Sequence, residues 1–277
     1  MSKHKYWVAL SSVEGISPVR IKYLLNRFEE IEAVFDAELL EIASLPLFDQ
    51  ILASRVLRAR LGLAEIQCQI DWLKSQGINM SCFEDSDYPM QLRALQNAPP
   101  VLYYLGELRK ISYDRSVAIV GSRNPSDSAI LETLNLTAQL VEAGFTIVSG
   151  LDNVIDTTAH LGAISAGGET VAVVGLDLLS ICPVDDRQLV TQISQNGMIL
   201  SDFFSPVSFS QGDLFLHKRV ISGLSIATIM METAIDDDSC LLYTSDAADE
   251  RSSVDLGGRS IIKKKKGGGG GGGGGGG

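Results

Sequence analysis

The feature that most constrains the fold is a regular alternation of apolar runs and amphipathic segments from residue 116 onward. The apolar runs end close to a glycine or serine, and the segments between them repeat apolar residues at helical spacing. Near-continuously apolar strands that alternate with helices are typical of a parallel sheet covered on both faces. The sequence therefore predicts an α/β class and a doubly wound parallel sheet. The predicted strands are 116–121, 145–149, 170–174, 198–201 and 226–232, and the predicted helices are 126–143, 156–166, 186–195 and 217–224.

The remainder of the chain divides by composition. Residues 1–75 repeat apolar side chains at helical spacing, which predicts a small N-terminal all-helical domain. Its Val13–Arg20 stretch resembles a helix-hairpin-helix (SAM-like) turn, although a plain turn explains it as well. The α/β domain is predicted at 76–239, with two further candidate strands at 78–82 and 101–105. Residues 240–277, which end in four lysines and eleven glycines, are interpreted as a non-native or disordered tail that truncates this domain, with a flexible basic tail as the alternative.

Charge and cysteine usage exclude several classes of protein. The net charge is −11, and residues 114–234 hold five basic against thirteen acidic side chains. Nucleic acid would therefore need a local patch of positive charge rather than a basic domain. No apolar run approaches the roughly 18 residues of a membrane span, and the basic N-terminus lacks an apolar segment behind it. Four scattered cysteines without a C-x-x-C pair disfavour zinc, redox and disulfide sites, so a cytoplasmic protein without membrane contact is predicted.

The most informative candidate site is the turn after the first parallel strand, Gly121-Ser122-Arg123. In an open parallel sheet, ligands bind beyond the carboxyl ends of the strands, near the point where the strand order reverses. The glycine allows close approach to the backbone, the serine offers a hydroxyl, and the arginine offers a planar fork for phosphate beside a helix N-terminus. A tight turn with a solvated Arg123 explains the loop equally well. Outside the glycine tail neither nucleotide-binding glycine motif occurs, so no cofactor is predicted.

Three other features stay open on the residues alone. Lys218 and Arg219 hold much of the positive charge of the α/β domain, and they either converge with Arg123 or are simply exposed on a helix. Asp156 and His160 share one helix face, where a helix-start carboxylate with a hydrogen-bonded histidine is favoured over a catalytic pair. Glu232, at the end of the last strand, is either catalytic or a partner for backbone donors.

Several motifs in a consistent order resemble the DNA-processing protein A family (DprA, also called Smf). The resemblance extends over roughly residues 80–235, and the helical N-terminal segment also fits. It is carried by Asp87-Tyr88-Pro89, Pro99-Pro100-Val101-Leu102-Tyr103, Val117 through Arg123, Ser149-Gly150-Leu151 with Ile155-Asp156 and Ala159-His160, Gly168 through Val174, and Arg219 through Ser225.

The resemblance implies an extended Rossmann-like fold that binds single-stranded DNA, protects incoming strands during natural transformation and helps to load the RecA recombinase. Neither catalysis nor a nucleotide cofactor is implied, and a homodimer is expected only if the closing family segment, which is not found here, is dispensable. The implied DNA-binding residues are Gly121, Ser122, Arg123, Ser149, Gly150, Lys218 and Arg219. The family's Ala-Arg-Gly after Ser-Gly-Leu is replaced by Asp152-Asn153-Val154, which exchanges a cation for an anion.

Two alternatives to a DNA-binding protein remain at this point. One is an enzyme related to the Rossmann-like nucleoside-monophosphate phosphoribohydrolases, although their P-G-G-x-G-T-x-x-E run is absent and only Glu232 lies at a comparable strand end. The other is a family member that is retained for protein interaction, which the lost Ala-Arg-Gly motif favours. Aromatic candidates for base stacking are Phe203, Phe204 and Phe209, which are equally well explained as core residues.

Overall fold

A computed structural model describes residues 3–108, 111–175, 178–179, 187–202 and 216–232, and the backbone of 260–263. The described residues up to Ser75 form helices joined by turns, as the spacing of their apolar residues predicts. Capping side chains include Ser17, which accepts a hydrogen bond from the Arg20 N–H ahead of Pro18, and Asp49, which accepts one from the Leu52 N–H. The helices are α1 (His4–Ser11), α2 (Pro18–Phe28), α3 (Ile31–Val34), α4 (Leu39–Ala43), α5 (Gln50–Ala59) and α6 (Leu63–Ser75).

The rest of the described chain forms one sheet with helices between its strands. The strands are β1 (Asn79–Cys82), β2 (Val101–Gly106), β3 (Ser116–Gly121), β4 (Thr146–Ser149), β5 (Thr170–Val174), β6 (Gly197–Ser201), β7 (Ala227–Met231) and β8 (Ser260–Lys263). The helices are α7 (Met90–Arg93), α8 (Asp127–Glu142), α9 (Val154–Ser165), α10 (Arg187–Asn196) and α11 (Leu216–Gly223). The strand order is β1-β2-β6-β5-β4-β3-β7-β8.

This strand order creates a switch point between β3 and β7. The chain proceeds from β3 outward through β4, β5 and β6, and then returns by α11 to place β7 on the other side of β3. All neighbouring strands in the part of the sheet ordered β6-β5-β4-β3-β7-β8 are parallel. The carboxyl ends of these strands therefore lie at one edge, here called the carboxyl edge. A ligand-binding crevice in such a sheet is expected between β3 and β7.

Strands β3 to β7 are buried on both faces, which explains why their sequences read as continuous apolar runs. In β3, Val117 and Ile119 lie in a cluster with Ile155 of α9, whereas Ala118 and Val120 lie in a second cluster with residues of α11. A third cluster joins α1–α6 to the face of the sheet near β2, β5 and β6. The division of the chain into separate domains remains a prediction, since this core runs from the helices into the sheet.

Two features were not anticipated from the sequence. β1 and β2 extend the sheet as antiparallel strands, because β2 pairs with β6 rather than with a parallel neighbour. Ser260–Lys263 pairs with β7 inside the segment interpreted as a tail, whereas residues 240–259 and 264–277 lie outside the described residues. Within the described ranges, no helix has both the length and the apolar character needed to span a membrane.

Candidate nucleic-acid interface

The β3–α8 turn contains the Gly121-Ser122-Arg123 corner. A Cβ at Gly121 would clash with the carbonyl oxygen of Met231 and approach the Ile155 side chain at 2.8 Å, so only glycine lets β3, β7 and α9 meet here. The Ser122 N–H donates to the Met231 oxygen at 3.2 Å, and its hydroxyl accepts from the Asn124 N–H at 3.2 Å. A backbone hydrogen bond to β7 and the Ser122 hydroxyl therefore hold the corner, and Arg123 is exposed.

A carboxylate directly after β7 holds the start of α8. Glu232 has a φ of 45°, in the left-handed region, and its Oε2 accepts from the Ser126 N–H at 2.7 Å and from the Ser126 hydroxyl at 2.8 Å. Ser126 in turn caps α8 by accepting from the Ala129 N–H at 3.3 Å. Of the two interpretations of Glu232, the structure supports the partner for backbone donors.

The polar groups of the β4–α9 turn point into the protein. The Ser149 hydroxyl is fully buried and donates to the Ile119 carbonyl oxygen. A Cβ on Gly150 would lie 2.6 Å from Asp156 Oδ2, and the Gly150 carbonyl oxygen accepts from His160 Nε2 at 2.7 Å. Ser149 and Gly150 thus lie at the carboxyl edge, as expected, but their polar groups support the turn.

Asp156 and His160 form the buried interior of this turn. Asp156 Oδ2 accepts from the Asn153 side chain at 3.0 Å and from the Asp152 N–H at 3.3 Å, whereas Oδ1 is buried without a hydrogen-bond partner among the described residues. Burial raises the pKa of Asp156 from 3.8 to about 7, although the hydrogen bond from the Asp152 backbone opposes this shift. Burial lowers the pKa of His160 from 6.5 to about 4, so the ring is neutral and bridges Gly150 and Thr170. This agrees with the favoured structural interpretation.

Arg219 lies at the carboxyl edge but is engaged by an acid. Its Nη2 is 3.5 Å from Asp202 Oδ2 just beyond β6, and the two side chains are only 13% and 8% exposed. Its Nε is buried without a hydrogen-bond partner in the described part of the chain. Lys218, beside it, is half-buried. Of the three basic residues, Arg123 is exposed, Lys218 is half-buried and Arg219 pairs with Asp202.

Sequence reasoning missed the residues that hold this edge together. Asp202 lies 17 positions from its partner Arg219, and no local pattern connects them. The Asp87-Tyr88-Pro89 motif is structural, since the Tyr88 hydroxyl donates to the Pro99 carbonyl oxygen at 2.7 Å and Asp87 accepts from Ser81 at 2.8 Å. Asn153, within the departure from the family motif, caps α9 by accepting from the Asp156 N–H. Phe203, Phe204 and Phe209 lie outside the described residues.

Comparisons with known proteins match this chain to one group of related sequences. The family model described as DNA recombination-mediator protein A matches residues 79–257. Protein Smf of Synechocystis sp. is 35% identical over 234 residues, which cover 83% of this chain and 58% of that protein. DNA processing protein DprA of Bacillus subtilis is 30% identical over 159 residues, which cover 57% of this chain and 54% of that protein. The chain thus spans a little over half the length of these relatives.

Solved structures show the same fold. DNA processing protein A of Streptococcus pneumoniae aligns with a TM-score of 0.75 and 22% identity, over 94% of this chain and 86% of that one. The Helicobacter pylori protein, described for its single-stranded DNA binding mode, aligns with a TM-score of 0.55 and 23% identity, over 67% and 80%. The predicted α/β, Rossmann-like class is confirmed. By its match to the family model over residues 79–257, the chain belongs to the DNA recombination-mediator protein A family, which confirms the resemblance of its motifs to DprA and Smf.

Proposed function

We propose that this protein binds single-stranded DNA at the switch point between β3 and β7, with Arg123 on a phosphate of the strand. The observation that carries this proposal is the exposed arginine on a glycine corner that cannot accept a Cβ. The Arg123 guanidinium provides the donors for phosphate, since Glu232 and Ser126 already occupy backbone donors at the start of α8. The single-stranded DNA binding described for the Helicobacter pylori relative is consistent with this ligand.

The proposed activity is binding rather than catalysis. Glu232, the acid that a phosphoribohydrolase-like alternative would use, already accepts two hydrogen bonds from Ser126. Asp156 and His160 lie in a buried network with exposures of 3% and 0%, so neither side chain is accessible to a substrate. These contacts favour the binding protein over the enzyme, and no cofactor enters the proposal.

The finer role follows from family membership. We propose that the bound protein protects incoming single strands and helps to load RecA during transformation and recombination, in the cytoplasm. A homodimer belongs to the same proposal. A family member that acts only through protein contacts would bind RecA without binding DNA, so the two roles can be separated.

The test is fluorescence anisotropy of the full chain with a labelled oligo-dT strand, at several salt concentrations. We expect binding that weakens with salt, with a slope of about 0.7 per phosphate contact for a single strand. Incubation with AMP, followed by chromatography for released base, should give no product. Anisotropy without any change, together with RecA capture, would favour the interaction protein, and released base would favour the enzyme.

A further inference from the structure

A cluster of metal-ligating side chains lies away from the carboxyl edge, where α1 meets the first strand. His4 of α1, Cys82 at the end of β1 and Asp85 in the following turn each place a ligand atom within 4.8 Å of the others. His4 Nε2 is 2.9 Å from Asp85 Oδ2, which also accepts from the Cys82 N–H at 2.7 Å. We propose that these three side chains bind a divalent transition metal ion, and that Zn²⁺ fits the donor set best.

The donor set has the chemistry of a zinc site. Zn²⁺ takes sulfur, imidazole and carboxylate ligands in tetrahedral geometry, which sets the ligand atoms about 3.3–3.6 Å apart. His4 Nε2 and Asp85 Oδ2 lie 2.9 Å apart, and all three ligand atoms lie within 4.8 Å of one another, so movements of about 1 Å would bring them to the tetrahedral spacing. Cys82 is fully buried, but the side chains of His4 and Asp85 are 21% and 33% exposed. A metal ion can therefore enter from the solvent side, where a water molecule would fill the fourth position.

The electrostatic surroundings of the thiol favour a cation. Asp85 and the neighbouring Asp87 and Glu84 place negative charge around the Cys82 thiol. Binding of Zn²⁺ would form the sulfur–metal bond as the thiol proton leaves to solvent.

The nearby cations leave the ligand atoms accessible. Arg93, from α7, donates to the Asp85 backbone oxygen at 2.7 Å and lies over the rings of Phe83 and Tyr88, rather than on the carboxylate. Lys3 is 3.7 Å from Glu30 and 3.6 Å from Glu32. Neither cation replaces the metal ion on Asp85 in these contacts.

Such a site would fasten the helical segment to the sheet. His4 lies in the first helix and Cys82 in the first strand, so one ion would join two elements that are 78 positions apart in sequence. The spacing explains why the scattered cysteines disfavour zinc when only sequence motifs are considered. Because a metal ion that binds only the folded chain stabilises it, Zn²⁺ should raise the Tm.

The test measures zinc bound by the full chain after treatment with a chelator and dialysis against Zn²⁺. We expect one equivalent by inductively coupled plasma mass spectrometry and a Tm increase of roughly 5 °C. Co²⁺ in place of Zn²⁺ should give a sulfur-to-cobalt charge-transfer absorption. The variants Cys82→Ala and His4→Gln should each lower the affinity at least about tenfold, and Cys82→Ala should also lose the charge-transfer band.

One further variant is a control, and another tests the third ligand. Cys68→Ala removes an exposed thiol on α6 and should retain the full equivalent of zinc. Asp85→Asn keeps an acceptor for the Cys82 N–H but is a weaker metal ligand, so it tests coordination even if another variant fails to fold. Less than a tenth of an equivalent in the wild-type chain, or zinc retained by all three ligand variants, would overturn the proposal and leave a hydrogen-bonded His4–Asp85 pair beside a buried thiol.

Discussion

The β3–α8 and β4–α9 turns lie side by side at the carboxyl edge, yet they present opposite surfaces. Both leave a strand at a glycine that tolerates no side chain, and both begin a helix with a polar cap. In the β3–α8 turn the acid, Glu232, comes from the residue after another strand, β7, and Arg123 is exposed. In the β4–α9 turn the acid, Asp156, comes from the following helix and is buried with His160. One turn can face a ligand, whereas the other supports the sheet.

The strongest expected effect is on the pH dependence of the free energy of unfolding, through Asp156 and His160 of the β4–α9 turn. The pKa of Asp156 is raised from 3.8 to about 7, so its contribution is complete below pH 4 and is lost as the pH rises to 7. The pKa of His160 is lowered from 6.5 to about 4, so its contribution is complete above pH 6.5 and is lost as the pH falls to 4. The two slopes oppose each other between about pH 4 and 6.5.

Urea unfolding of single variants at several pH values should separate the contributions of Asp156 and His160 to the free energy of unfolding. Relative to wild type, Asp156→Asn should gain stability with rising pH between 4 and 7, by at most about 4 kcal/mol, because it lacks the buried acid. His160→Gln should lose stability relative to wild type with rising pH between 4 and 6.5. Two variants with the same pH profile as the wild-type chain would show that these groups are not held in unusual protonation states.

The next largest effect concerns Arg219, which pairs with Asp202 at the carboxyl edge. Arg219→Ala should lower the free energy of unfolding by about 3 kcal/mol, because it removes the cation from an ion pair that is almost buried. The double variant with Asp202→Ala should cost less than the sum of the single variants, since the pair is coupled. Chemical denaturation measures all three. A loss below about 0.5 kcal/mol for Arg219→Ala would mean that the pair is not structural and that Arg219 is available to a ligand.

A smaller loss is expected at the glycine corner. Gly121→Ala should cost about 2 kcal/mol, because the new Cβ meets backbone of β7 and the side chain of Ile155. Gly62→Ala is the matched control, since its Cβ would meet only Ile66 at 3.9 Å. Thermal unfolding compares the two variants. Equal Tm values would contradict the close approach of β3, β7 and α9.

The sequence predicts local elements well and long-range partners poorly. Alternating apolar runs and helices predict strands β3 to β7 within a few residues, because these strands are buried on both faces and the helices between them end near a glycine or asparagine. The antiparallel edge strand β2 pairs with β6 through contacts nearly 100 positions apart. The Arg219–Asp202 pair and the His4–Cys82–Asp85 cluster likewise depend on packing between elements, which no spacing motif encodes.

The central claim is that Arg123, rather than the edge as a whole, contacts DNA. Its most direct test compares oligo-dT binding by Arg123→Ala and Arg115→Ala, which remove the same charge at opposite ends of β3. Arg123→Ala should weaken binding five- to tenfold for any sequence and lower the salt slope by about 0.7, whereas Arg115→Ala should leave both unchanged. An unchanged Kd for Arg123→Ala, or equal losses in both variants, would contradict the account.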